Sequence, residues 1–278
     1  MTISHYENFP VASVLLPARL RRPVELIYRF ARAADDFADE GHLPDAERLA
    51  LLAGFSDELH RLENGGDAET ALFRELAPVI AERGLPFSLF HDLLSAFAQD
   101  VVKKRYANLT EVLDYCRRSA NPVGRLLLVL YGAATPQNNA WSDHICSALQ
   151  IINFLQDIAP DYDSGRIYLP QDELARYEIA EARIAAHDAG GEWREFMASQ
   201  VERARRMLFD GAALGRVLEG RIGLELRMII AGGDRILTKI RHARYDVFRR
   251  RPVLRSPDWA LMFARAIFTR RILKSRPP

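Results

Sequence analysis

Ile152-Asn153-Phe154-Leu155-Gln156-Asp157-Ile158-Ala159-Pro160-Asp161 runs on into Asp163-Ser164-Gly165-Arg166-Ile167-Tyr168-Leu169-Pro170. Asn153, Asp157 and Asp161 stand four residues apart, so on an α-helix they stack along one face. The residues between them, Ile152, Phe154, Leu155, Ile158 and Ala159, are apolar. A polar line on an otherwise apolar helix is costly to bury without partners. Suitable partners are a hard divalent cation, a run of arginines, or water. An earlier segment carries a counterpart, Arg29-Phe30-Ala31-Arg32-Ala33-Ala34-Asp35-Asp36-Phe37-Ala38-Asp39-Glu40. There Asp35 and Asp39 share one face, and Asp36 and Glu40 share the next. Taken alone, this earlier row also fits a solvated helix end. Two such rows, more than a hundred residues apart in the chain, predict a cavity with a metal-lined wall on each side.

Outward from these rows the pattern is helical. Pro23 suits a first turn, and apolar spacing predicts a helix over Val24 to Ala38, ended by Gly41-His42-Leu43-Pro44. Further helices are expected at Asp45 to Leu62, 68–82, 87–106, Thr110 to Arg118 and Val123 to Gly132. Pro136 to Ala159 reads as a long helix that bends or ends at Pro160, which lacks a backbone donor. Residues 163–190 read as loop with one or two short helices, and Glu192 to Val217, Arg221 to Phe248 and Ser256 to Lys274 complete the set. No stretch alternates with period two between turn signals, so no strand is expected. No repeat or Gly/Ser-rich linker divides the chain. The expectation is an all-α single domain, residues 1–278, of about eleven helices. Gly232-Gly233 interrupts a helical pattern at about 1 kcal/mol per glycine, which predicts close approach of a neighbouring helix or a ligand chain.

The chain has 278 residues, 49% hydrophobic and 27% charged, with a net charge of +1. That balance gives no reason to expect nucleic acid as a partner. Cys116 and Cys146 form neither a metal spacing nor a disulfide framework, which suits a reducing compartment. With no secretory pattern and no run of about eighteen apolar residues, a cytoplasmic location is expected. The charge is uneven: Lys239 to Pro278 holds twelve Lys/Arg against two Asp. Trp259, Leu261, Met262, Phe263, Ile267, Phe268 and Ile272 in that tail would form a helix with apolar and basic faces. Such a helix either packs on the domain with solvated arginines or makes peripheral contact with an anionic membrane. His5, His91 and His144 stand isolated and read as structural or exposed, and Cys116 reads as packing.

The two acidic rows suggest a chemistry. Mg²⁺ takes oxygen ligands and is held by one or two carboxylates plus substrate phosphates. Carboxylates on opposed helices would hold ions that in turn hold a diphosphate. Arginines such as Arg32 and Arg166 would cover the remaining phosphate oxygens. An apolar cavity between and below would take a hydrocarbon. The set suits ionisation of an allylic or cyclopropylcarbinyl diphosphate in a dry cavity that guides the carbocation.

At these residues the chain resembles the squalene/phytoene synthase family, over nearly its whole length. Tyr28 to Glu40 matches the first aspartate motif. Arg105-Tyr106, Tyr115-Cys116 and Gly124 match the central segment, and Asn153 to Asp161 with Gly165 to Pro170 match the second motif. Arg244-Tyr245-Asp246-Val247-Phe248 matches the late signature. The resemblance implies an isoprenoid-synthase fold with a central apolar cavity and Mg²⁺-diphosphate chemistry. By position it makes Asp35, Asp39, Asp157 and Asp161 metal-associated. Arg32, Arg105, Arg166 and Tyr168 become diphosphate-binding, Asn153 supports the second site, and Tyr115 lines the reaction centre. Asp100 matches a position in relatives and joins the candidates.

Departures from the family pattern point to a branch. Gln156 stands where an arginine usually precedes the first aspartate of the second motif. Ala120-Asn121-Pro122-Val123-Gly124 replaces a central Ala-Gly, and Gly233 aligns where relatives place a tyrosine. With the opening His5-Tyr6-Glu7-Asn8-Phe9-Pro10, these resemble the bacterial hopanoid-pathway branch, the hydroxysqualene synthases. That branch implies ionisation of presqualene diphosphate, rearrangement and quenching by water, with no NADPH expected. One diphosphate in the site in place of two would make the loss of an arginine tolerable, and Gln156 or Asn121 would place the quenching water. Two other readings stay open: condensation of two prenyl diphosphates to presqualene diphosphate, squalene or phytoene, and a non-catalytic assembly protein. Retention of both acidic rows favours catalysis. Oligomeric state and the number of Mg²⁺ ions are left open.

Overall fold

A computed structural model describes residues 16–39 and 43–274, with side chains described as far as residue 266. Glu40, the opening His5 to Pro10, and the side chains of Ile267, Phe268 and Ile272 lie outside the described residues. Four helices come first: α1 (Ala18–Asp39), α2 (Asp45–Glu63), α3 (Ala71–Arg83) and α4 (Phe87–Val102). The short strand β1 (Arg105–Tyr106) leads to α5 (Leu109–Ser119), α6 (Asn121–Leu130), α7 (Pro136–Gln156) and α8 (Ile158–Asp163). Strand β2 (Ile167–Pro170) follows, then α9 (Gln171–Arg176), α10 (Glu181–Ala185) and α11 (Glu192–Asp210). The chain closes with α12 (Leu214–Val217), α13 (Gly220–His242) and α14 (Ser256–Lys274).

The architecture is all-α, with more and shorter helices than the sequence reading expects. The helix expected over 87–106 stops at Val102, because Lys103 turns extended and Arg105–Tyr106 pairs in parallel with Ile167–Pro170. A two-residue strand has no alternation to read, and its partner lies some sixty residues on. The expected helix over 192–217 breaks after Asp210. The one over 221–248 ends at His242, where Arg244 and Tyr245 take left-handed backbone at φ 55° and 64°. At Pro160 the expectation holds, with the break placed earlier. The ring removes the N–H that would bond Gln156 and crowds that carbonyl, so α7 ends at Gln156 and α8 restarts at Ile158. Helix starts carry local signals. Asn108 Oδ1 accepts from Glu111 N (3.1 Å) and Thr135 Oγ1 from Asn138 N (3.1 Å), caps worth about 1 kcal/mol each.

Two apolar clusters share a border. In one, Phe30 of α1 meets Phe55, Phe73 and Phe90 of α2, α3 and α4 at centroid distances of 5.1–5.8 Å. The other gathers α7, α11 and α13 around Ile152, Trp193, Leu208 and Leu237, and Tyr131 and Ile222 pack against both. The glycine pair in α13 answers to neighbouring helices. A Cβ on Gly233 would stand 3.0 Å from Leu149 Cδ2 and 3.0 Å from Leu208 Cδ2, and one on Gly232 3.1 Å from Met262 Cε. Gly233→Val is therefore expected to lower unfolding free energy by about 1–3 kcal/mol through overpacking, read from urea titration. An unchanged midpoint would mean the helices separate freely.

α14 packs on α13 through buried Met262, Ala266 and Asp258, and Asp258 binds Arg235 (2.6 Å) and Lys239. Leu261 and Phe263 on its other side are 39% and 45% exposed. Among the described residues no helix is long and apolar enough to cross a membrane.

Candidate active site

The first acidic row occupies the last turns of α1. Arg32 Nη2 lies 2.7 Å from Asp36 Oδ1, and Nη1 lies 3.4 Å from Asp35 Oδ2. The second row crosses the break between α7 and α8. Asp157 N donates to Asn153 O at 2.9 Å and Asp161 N to Asp157 O at 2.8 Å, so helical spacing survives the interruption. The rows meet at Arg166. Its Nη1 donates to Asp39 Oδ1 at 2.6 Å, and its backbone N–H donates to Asp161 O at 2.8 Å. One residue thus ties together two motifs that lie far apart in the chain.

The charge balance around Arg166 is negative. Burial first, then the Asp39 carboxylate, pushes Asp35 up to about 7. Burial and Asp157 push Asp161 up to about 8, with Asp39 and Asp100 adding to it and Arg166 opposing. Asp100, 5% exposed on α4, is raised to about 6 by burial, against the pull of Tyr115, Arg166 and Tyr168. Asp157 is held by a fork from Arg251, with Nη2 donating to Oδ2 at 2.9 Å and Nε to Oδ1. Six carboxylates (Asp35, Asp36, Asp39, Asp100, Asp157, Asp161) thus face the guanidinium groups of Arg32, Arg166 and Arg251. Crowded oxygen donors, with the proton affinity of Asp35, Asp100 and Asp161 raised by burial, are what a hard divalent cation would relieve, so this donor set fits Mg²⁺.

Beneath the acids lies an aromatic floor. Tyr115 OH donates to Asp100 Oδ2 at 2.5 Å and Tyr168 OH to Asp100 Oδ1 at 3.0 Å. The same carboxylate therefore orients two rings from α5 and β2. Phe154 stacks on Tyr168 at 3.9 Å and 3°, and Tyr106 completes the group at 5.5 Å from Tyr168. Two small clefts, one beside Asp161 and Arg166 and an apolar one beside Val112 and Ile151, each hold about 10 Å³ of space, room for about one water, and both are lined by Phe154, Tyr168 and Leu169. The stacked pair is the wall the two clefts share. Aromatic faces can stabilise a passing cation.

The other expected residues are placed as follows. Arg105 is bound through Nε and Nη2 to Glu181 (2.7 and 2.8 Å), while Nη1 donates to Gly165 O at 2.6 Å. It braces the turn that delivers Arg166. Gln156 is 1% exposed, with Nε2 donating to Pro252 O at 2.6 Å, and Asn121 Oδ1 accepts from Ser147 Oγ at 2.9 Å. Neither lines the two clefts. Arg251 escaped the sequence reading, because it sits in Arg249-Arg250-Arg251 inside a tail read only for its net charge. Lys104, whose Nζ donates to Asp100 O at 2.8 Å, was likewise hidden in a run of basic residues.

Helices packed around two facing carboxylate rows, with an aromatic floor, define a protein of the isoprenoid-synthase class. The chain belongs to the squalene/phytoene synthase family, which it matches over residues 3–258. It is 38% identical over 233 residues to a hydroxysqualene synthase of Rhodopseudomonas palustris, covering 83% of this chain and 78% of that one. To a hydroxysqualene synthase of Sinorhizobium fredii it is 36% identical over 238 residues, covering 84% and 80%. The crystal structure of squalene synthase HpnC from Alicyclobacillus acidocaldarius superposes with a TM-score of 0.80 at 36% identity, covering 87% of this chain and 90% of that one.

Proposed function

We propose that this chain is an enzyme that ionises presqualene diphosphate and quenches the rearranged cation with water, giving hydroxysqualene and diphosphate in hopanoid and squalene biosynthesis. The meeting of both acidic rows at Arg166 supports the ionisation. Identity of 36–38% to two hydroxysqualene synthases, together with Gln156 in place of an arginine, supports the water-quenching branch. Asp35, Asp39, Asp157 and Asp161 would hold Mg²⁺, with Asn153 supporting the second row. When bound, the ions neutralise charge on the departing diphosphate.

The chain's own residues account for the rest of the reaction. Arg32 and Arg166 would bind diphosphate oxygens, while Tyr115 and Tyr168, oriented by Asp100, would face the hydrocarbon; with its hydroxyl engaged by Asp100, Tyr168 would not take the diphosphate role expected of it. The bond from carbon to the diphosphate oxygen breaks with its electron pair leaving on diphosphate. Water adds to the rearranged cation and loses a proton to diphosphate or solvent. No electrons are gained or lost overall, so no NADPH is required. Gln156 and Asn121 stand away from both clefts, on Pro252 O and Ser147 Oγ, so the quenching water is not assigned to either. The protein would act as one domain in the cytoplasm, with the exposed Leu261 and Phe263 of α14 available to a membrane surface.

The deciding experiment incubates the purified protein and Mg²⁺ with presqualene diphosphate, and separately with farnesyl diphosphate, without reductant. Hydroxysqualene from the first alone is the expected product. Presqualene diphosphate made from farnesyl diphosphate would move the enzyme to the condensing branch, and an inert folded protein would favour an assembly role. Arg105 gives a second test. Its side chain and that of its partner Glu181 are 34% and 42% exposed, so Arg105→Ala should cost less than about 1 kcal/mol of stability. Freeing the Gly165–Arg166 turn should nonetheless lower kcat/KM by about tenfold or more, since small misplacements of a binding group are costly. Unchanged kinetics would remove Arg105 from the mechanism.

A further inference from the structure

His60, Glu63 and His91 converge on the surface where α2 packs against α4, and none of them belongs to the acidic site. His60 Nδ1 and His91 Nε2 each lie 3.2 Å from the same oxygen, Glu63 Oε2. All three donor atoms fall within 4.8 Å of one another, and the imidazoles stack at 4.4 Å and 29°. His60 and Glu63 share a face because they are three apart in the last turn of α2, and His91 arrives from α4.

Two features of this triad favour a cation. Tetrahedral zinc, with bonds of about 2.0–2.1 Å, holds its donor atoms about 3.3 Å apart. The two distances through Glu63 match that edge, and His60, with a side chain 60% exposed, has room to close the third. Glu63 is also the final residue of α2, where the negative end of the helix disfavours a carboxylate. The nearby Arg61 is paired with Glu58 and Glu69, so compensation at Glu63 comes from the imidazoles of His91 and His60, which hold its carboxyl below the usual carboxylate range. Two imidazoles and one carboxylate select zinc-like transition metals over Mg²⁺, which wants oxygen ligands only.

We propose that His60, Glu63 and His91 form a zinc-type metal site that clamps α2 to α4, with water in the fourth position. The test titrates Zn²⁺ by calorimetry into the full-length, EDTA-stripped protein in excess Mg²⁺, which occupies the acidic site. One Zn²⁺ per chain is expected, with a melting temperature about 5 °C higher at a hundredfold excess over Kd. Co²⁺ in its place should show the visible absorption of a four-coordinate ion. His60→Ala and His91→Ala should each weaken binding by at least about a hundredfold and leave Mg²⁺-dependent turnover unchanged. Should His91→Ala misfold, His60→Gln and Glu63→Gln, at more exposed positions, carry the same comparison. Absence of Zn²⁺ binding would overturn the proposal, as would a site of undiminished affinity in the His60→Ala/His91→Ala double variant.

Discussion

Asp161→Asn is expected to lower turnover of presqualene diphosphate at least about a thousandfold, equivalent to about 4 kcal/mol of transition-state stabilisation. The same substitution should raise the melting temperature of the metal-free protein. Both effects come from one cause. Asp161 is crowded by Asp157, Asp39 and Asp100, and burial with these neighbours pushes its carboxyl to about 8. The amide keeps the shape and removes a carboxyl that the metal-free fold must keep protonated, at a cost, up to about pH 8. What the fold gains, the reaction loses, since a neutral amide is a poor ligand for the ion that must offset the leaving diphosphate. Steady-state kinetics and thermal unfolding on the same preparation check both halves. Activity within tenfold of the parent would exclude Asp161 from the site. Activity and melting temperature falling together would show a structural role instead.

The metal-free protein is expected to lose stability as pH rises from about 4 to about 8, and Mg²⁺ to restore it. Asp35 and Asp161 titrate near 7 and 8 in the folded chain, against about 3.9 for an unfolded aspartate. Between those values the folded state binds more protons than the unfolded state, so unfolding free energy falls with rising pH. Below about 3.9 both states are protonated and the effect vanishes; above about 8 both are ionised and the whole penalty stands. Asp258 runs the other way and outside this window. Burial works against its ionisation, yet Lys239, the Arg255 N–H and Arg235 hold it down to about 2. Its contribution is present above the unfolded value and is lost only as pH falls through the acid range. Binding of Mg²⁺ should release protons and tighten through the same window as the acids ionise. Calorimetry in two buffers of different ionisation enthalpy reads that release. A flat stability profile with no proton release would contradict the crowded-carboxylate account.

Much of the fold was legible along the chain because helices are set by local spacing. The acidic faces of α1 and α7, the break just before Pro160 and the need for small residues at Gly232-Gly233 all follow from periodicity and backbone chemistry. The short parallel pairing of Arg105–Tyr106 with Ile167–Pro170 does not, since two residues carry no period and the partner is remote in sequence. It matters nevertheless, for it holds Tyr168 against Asp100 and delivers Arg166 to Asp39.

Spacing and residue type along the chain are enough to give the all-α class, the two acidic rows and the family to which the chain belongs. Packing of the helices settled which charges meet. It joined Arg166 to Asp39, turned Arg251 onto Asp157, and engaged Arg105 with Glu181. It also brought His91, isolated in the chain, beside His60 and Glu63. Pairings across such distances depend on how helices pack, and packing is settled by contacts between remote side chains that no local pattern records.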